Sequence, residues 1–222
     1  MTPVGGLRAI LFDFDYTLGD SSRAAVDCMR HALRQMGLPD RDPETCARTI
    51  GLSLRDTLVA LAGPEAAEQF DTFHRYFRQR ADEIMAPWTA LYPFTLPLLT
   101  ALRARGLRLG IVSNKEAFRI RAILSRFVPE DPVDAIVGPS DAGASKPAPD
   151  GLLVALRRLE VPACAALYVG DSTVDARAAA AAGLPLVAVT TGHTSAAELE
   201  PYRPATLLPD AGALLDWLDA PR

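Results

Sequence analysis

Very little in this 222-residue sequence points towards a membrane, an oxidising compartment or a polyanion. No apolar run approaches the roughly 20 residues that span a bilayer. The opening stretch, MTPVGGLRAILFDFD, has no basic n-region and passes straight into acidic residues, so it does not read as a signal peptide. The three cysteines, Cys28, Cys46 and Cys164, are scattered and form no CxxC pattern. They read as buried reduced thiols of a cytosolic protein rather than as a disulfide framework. A formal net charge of −4 gives no electrostatic reason to expect nucleic acid or an anionic membrane as partner. The three histidines, His31, His74 and His193, fall in none of the motifs below and read as structural or solvated.

Lysine is nearly missing. Of 23 basic residues only Lys115 and Lys146 are lysines, and arginine serves every other basic position. General surface duty therefore does not explain these two. An ammonium is a compact point charge with three donors and a common phosphate binder, unlike the planar guanidinium fork.

What is present is an ordinary soluble composition, 49% hydrophobic and 23% charged, long enough for one sizeable core and a smaller second domain. The apolar run Leu7–Phe12 is too short for an ordinary helix and reads as a buried strand of a parallel sheet. Asp13, Asp15 and Thr17 follow it at intervals of two. Asp favours turns, so capping alone could account for them. Side-chain alternation, however, starts both carboxylates on one side of the strand. Like charges 4 Å apart repel by about 4 kcal/mol at an effective dielectric of 20, so a cation is expected between them.

Residues 20–86 read as all-helical. A first helix carries Val26, Met29, Leu33 and Met36 and closes at Gly37; a short one starts near Pro43; a third starts at Ser53 and Asp56 in a capping-box-like pattern. A fourth is expected over 64–85, with Phe70, Phe73, Phe77, Ala81 and Ile84 on one face. From Pro93 onwards helices alternate with strands at 109–112, 135–137, 165–169 and in LPLVAVT. That rhythm predicts a doubly wound α/β fold with five parallel strands and a helical insertion after the first.

Three more strand ends carry polar clusters: Ser113, Asn114 and Lys115; Lys146 in a loop before Pro147; and Asp171 and Asp175 in GDSTVD. Each could be a cap or turn former. Four such clusters at carboxyl ends of strands of one sheet would instead converge on one crevice, where ligands bind in such folds. Carboxylates without His or Cys beside them suit Mg²⁺, and a lysine opposite suits phosphate. Phosphoryl transfer needs such positioning and charge neutralisation, with a carboxylate available as nucleophile and another as proton donor.

DFDYT, SNK, SKP and GDSTVD, in this order and spacing, resemble the four motifs of the haloacid dehalogenase superfamily of phosphohydrolases, and FDFDYTLGDSS with the helical insertion is similar to its phosphoglycolate phosphatase-like branch. The resemblance implies a Rossmann-like core over 1–19 and 87–222 with a helical cap over 20–86. It implies Asp13 as nucleophile and metal ligand, and Asp15 as general acid/base and backbone-carbonyl ligand. Ser113 and Lys146 would hold the phosphate with Thr17 and Asn114 beside them, and Asp171 with Asp175 would complete a Mg²⁺ site. Lys115 would play a supporting part. The substrate would be a small phosphorylated metabolite, with phosphoglycolate one candidate, turned over by a monomer or homodimer. Arg55, in a cap turn with Gly51, Leu52, Ser53 and Leu54, could pair with a substrate carboxylate or second phosphate, or simply be solvated or paired with Asp56. Two departures stand out: Tyr16 occupies a position where the family usually has glycine, and Ala25 replaces the cap histidine of the β-phosphoglucomutase branch, which argues against a mutase. The readings in competition are a dehalogenase, disfavoured by Asp15 and Lys146 together, and a non-catalytic phosphate-binding regulatory protein, which could have lost a motif aspartate.

Overall fold

The computed structural model describes residues 6–221; residues 1–5 and 222 of the expected core lie outside the described residues. Its centre is β1 (Ala9–Phe12), in which every residue is buried. Alternation along this strand sends Ile10 and Phe12 into one apolar cluster and Ala9 and Leu11 into another on the opposite face. A strand covered on both sides needs a continuous apolar run, and AILF supplies one.

Five further strands lie parallel to β1: β4 (Arg108–Val112), β5 (Ala135–Val137), β6 (Ala166–Gly170), β7 (Leu186–Val189) and β8 (Thr206–Leu208), preceded in chain order by the two-residue strands β2 (Gly19–Asp20) and β3 (Ala90–Leu91). The sheet order is β5-β4-β1-β6-β7-β8. The chain therefore winds outwards in both directions from β1, and the crevice expected at such a reversal opens over the carboxyl ends of β1, β4 and β6. The sheet has six strands where the sequence predicts five. The extra one, β8, is a half-buried three-residue edge ending at Pro209, too short to carry a period of its own.

The stretch between β2 and β3 holds α1 (Ser22–Gln35), α2 (Pro43–Ala47), α3 (Leu54–Ala62) and α4 (Phe70–Trp88). The long helix expected from residue 64 begins later. Gly63, at φ +95°, and Pro64 open a six-residue 3₁₀ segment, Pro64–Gln69, and the α-helix takes over only at Phe70. Phe73, Phe77, Ala81 and Ile84 are buried on one face of α4 as expected. Each fully buried side chain of this kind contributes about 1.5–3 kcal/mol. The sheet is flanked by α5 (Thr95–Ala104), α6 (Ala117–Leu124), α7 (Asp150–Leu159), α8 (Thr173–Ala182), α9 (Ala196–Leu199) and α10 (Leu214–Asp219).

Candidate active site

The Asp13 amide donates to the Val169 carbonyl at 2.8 Å, so the chain is still held by the sheet where the first carboxylate leaves it. The next residues turn tightly, with the amides of Thr17, Leu18 and Gly19 all reaching the Phe14 carbonyl. At the end of β6, Ser172 caps α8 and Asp175 completes a reciprocal capping box. Capping and contact with Lys146 are therefore not alternatives here, because Asp175 makes both. Its Oδ2 accepts from Ser172 while its Oδ1 lies 2.6 Å from Lys146 Nζ.

Asp13, Asp171 and Asp175 bring ligand oxygens within 4.8 Å of one another. Lys146 is the buried cation among them, 2.8 Å from Asp13 Oδ1 and 2.6 Å from Asp175 Oδ1. One ammonium against three carboxylates leaves the cluster anionic, and the carboxyls respond accordingly. Burial, with Asp175 and Asp15 nearby, raises the Asp13 carboxyl to about 6 despite Lys146. Burial together with Asp175 and Asp13 pushes Asp171 well above its ordinary value. Burial opposes ionisation of Asp175 as well, but Lys146, Ser172 and Tyr168 outweigh it and hold the carboxyl below its ordinary value. Burial also works against the Lys146 ammonium, which Asp13 and Asp175 keep charged.

These residues fit a divalent cation. Asp13 Oδ1, although close to Lys146, is reached by no donor in hydrogen-bonding geometry, alone among the buried side-chain oxygens and nitrogens of the described residues. An ion-paired acceptor with no well-aligned donor, in a cluster of hard oxygen donors, suits a Mg²⁺-sized ion. Two glycines keep the backbone clear of the carboxylates. A Cβ on Gly192 would stand 1.9 Å from Asp171 Oδ2, and one on Gly170 would stand 2.6 Å from the Asp175 carboxyl carbon.

The Asp15 side chain lies outside that triad. It accepts from Ser21 Oγ at 2.5 Å and pairs with Lys115 Nζ at 3.1 Å, and Lys115 also reaches Ser21 Oγ. Thr17 donates to Asp171 Oδ1 at 3.3 Å. Ser113 is buried at the end of β4 and lines the crevice with Lys146. Asn114 is a clip: its Oδ1 accepts from the Lys146 amide at 2.9 Å, and its Nδ2 donates to the carbonyls of Lys146 and of Gly51 in the α2–α3 loop. Arg55 lines the cavity above the centre, but its guanidinium donates to the Ala67 carbonyl and lies over the Phe70 ring at 4.4 Å.

Tyr16 adopts φ +58°, in the left-handed region that favours glycine. Burial and nearby acidic groups raise its phenol above the ordinary value. The ring is buried, its hydroxyl shares a 3.1 Å hydrogen bond with His193 Nε2, and its carbonyl accepts from Thr191 Oγ1. His193, expected to be structural or solvated, thus ties the loop after β7 to the turn after β1.

Sequence reasoning missed Tyr168. Its hydroxyl accepts from Lys146 Nζ at 2.8 Å and lies 2.9 Å from Asp175 Oδ1 and 3.0 Å from the Val112 carbonyl. One clue was available, a polar tip in the middle of an otherwise apolar buried strand, because a buried phenol hydroxyl needs a partner. Ser21, just before α1, makes no side-chain cap and serves Asp15 instead. Cys28 and Cys46 are buried as expected, whereas Cys164 is exposed.

The chain belongs to the haloacid dehalogenase-like hydrolase family, which it matches over residues 10–189. It is 32% identical to the phosphoglycolate phosphatase of Rhodospirillum rubrum over 97% of this chain and 92% of that one. It is 33% identical to the tyrosine-protein kinase PtkA of Mycobacterium tuberculosis over 84% of this chain and 63% of that protein. Among solved structures, a haloacid dehalogenase-like hydrolase from Bacteroides fragilis superposes with a TM-score of 0.90 at 42% identity, covering 94% of this chain and 99% of that one. The protein is thus an enzyme of phosphatase type, resembling phosphoglycolate phosphatases.

Proposed function

We propose that the protein is a Mg²⁺-dependent phosphatase that hydrolyses small-molecule phosphate monoesters through an aspartyl-phosphate on Asp13. The observation that carries this reading is the meeting of Asp13, Asp171 and Asp175 around Lys146 at the carboxyl ends of β1 and β6. A carboxylate oxygen of Asp13 attacks phosphorus in line with the ester oxygen. The P–O ester bond breaks, and the departing alkoxide takes a proton from the Asp15 carboxyl. Asp15 then removes a proton from water, the resulting hydroxide attacks the acyl phosphate, and inorganic phosphate leaves with Asp13 restored.

Ser113 and Lys146 hold the transferring oxygens, and Thr17 steadies Asp171. Asn114 fixes the backbone of Lys146. Asp13, Asp171 and the Asp15 backbone carbonyl would hold Mg²⁺, with Asp175 supporting them, and the ion would supply positive charge against the phosphate oxygens. Residues 20–86 act as a cap over a core formed by the rest, and Arg55 stands on the wall of the cavity between them. The substrate is a small phosphorylated metabolite, met in the cytoplasm by a monomer or homodimer. No helix among the described residues is long and apolar enough to cross a membrane.

Steady-state assays of Asp13→Asn test the reading. Turnover of any phosphate monoester should fall by about 10³-fold or more while the circular dichroism spectrum is kept, and chelator should abolish wild-type activity. A variant that works at near wild-type rate removes Asp13 as nucleophile, and activity that persists in chelator removes the metal.

A further inference from the structure

The cavity that opens onto the reaction centre is roomier than a phosphorylated two-carbon acid needs. It is an open cavity of about 810 Å³, lined by Asp15 and Lys146 as well as by Arg78 and Phe118. That volume lies towards the upper end of the roughly 300–1,000 Å³ range of pockets that bury drug-sized ligands. Its outer walls are apolar on both sides, with Phe70 and Phe77 of α4 facing the space from one side and Phe118 of α6 from the other. Phe118 is 51% exposed, the most exposed of the large apolar residues described.

The charges in the outer cavity are unequally committed. Three arginines line it. Arg55 is engaged by the Ala67 carbonyl and the Phe70 ring. Arg119 is paired with Asp82 at 2.7 Å and lies over Phe118. The guanidinium of the third, Arg78, has no hydrogen bond or ion pair among the described residues. The acidic groups on the same walls, Asp56 and Glu116, accept hydrogen bonds from Ser53 and Ser140 and keep their charge. Of the three arginines Arg78 is therefore the one whose guanidinium is free to pair with a negative group arriving from outside.

We propose that the substrate is a phosphate monoester with an apolar, ring-sized body and a second anionic group remote from the phosphate. The body lies between Phe70, Phe77 and Phe118, and the remote anion pairs with Arg78. This assignment rests on the phosphatase reading above and narrows it away from phosphoglycolate, which has no apolar body to set against the aromatic walls.

The test measures kcat and KM with Mg²⁺ for acetyl phosphate, phosphoglycolate, phenyl phosphate and 4-(carboxymethyl)phenyl phosphate, using wild type, Arg78→Ala and Arg78→Lys. The carboxylated aryl phosphate should have the highest kcat/KM, by about tenfold over both phenyl phosphate and phosphoglycolate, the scale of one charge-assisted hydrogen bond. Arg78→Ala should lose about tenfold more on that substrate than on phenyl phosphate, with the loss in KM, because the contact is remote from the chemistry. Arg78→Lys should restore part of it. The inference is overturned if phosphoglycolate is the best of the four, or if Arg78→Ala lowers both aryl phosphates equally. Inertness towards all four, acetyl phosphate included, would remove the phosphatase reading together with it.

Discussion

Tyr16 shows how a single residue can be held against its own preference. A non-glycine residue in the left-handed region costs on the order of 1–3 kcal/mol, and this chain accepts that cost at Tyr16. What offsets it is visible: a buried ring, the bond to His193 and the bond from Thr191. Tyr16→Gly would relieve the backbone but leave a cavity worth about 3–5 kcal/mol, so the loss outweighs the gain. Tyr16→Phe keeps the ring and forfeits only the hydrogen bond, about 1 kcal/mol. Urea denaturation should therefore rank wild type above Phe above Gly. A more stable glycine variant would show that strain, and not packing, dominates at this position.

Elements differ in how much of themselves they disclose. Asp13, Lys146, Asp171 and Asp175 were legible because each follows a short apolar strand or breaks a loop with a residue type that the surroundings do not need. Tyr168 was not, because its apolar neighbours hid it inside a strand and its partners Lys146 and Val112 are distant in sequence. The Asn114 bond to Gly51 spans 63 positions and leaves no local pattern. The start of α4 was misread because apolar spacing continues through residues 64–69 although the hydrogen bonding there is 3₁₀. The loop after β7 was likewise silent, yet it presses Gly192 against Asp171. Gly192→Ala has nowhere to put its methyl group, so either the loop or the carboxylate must move. Mg²⁺ affinity, read by calorimetry, should fall about 10- to 100-fold, as when a partner orienting a metal ligand is lost, with the secondary structure retained. Unchanged affinity would mean that the loop yields freely.

At the scale of the whole molecule, the ionised Asp13 carboxylate weakens the fold that carries it. The Asp13 carboxyl sits at about 6 against an ordinary 3.8. The folded state therefore keeps a proton that the unfolded chain gives up, and this contribution to stability is lost as pH rises through roughly 4 to 6. In chelator, Asp13→Asn should match the wild type near pH 4. At pH 7 it should exceed it by on the order of 2 kcal/mol, or about 4–8 °C in Tm for a chain of this size. Millimolar Mg²⁺ should raise the wild-type Tm at pH 7 and leave the variant almost unmoved. A gap between the two proteins that does not change with pH would contradict the charge argument.

The ribbon of β2 and β3 has a topological consequence. Gly19 pairs with Leu91 and Asp20 with Ala90 in a two-stranded ribbon separate from the main sheet, so the chain enters and leaves the inserted helices at neighbouring points about one strand spacing apart. For the rest of the chain, everything between is a detour of almost zero net displacement. The sheet's register and strand order do not depend on how long that detour is or what it contains. Such an arrangement lets the inserted helical segment diverge, lengthen or be exchanged while the carboxylates at the end of β1 stay where they are.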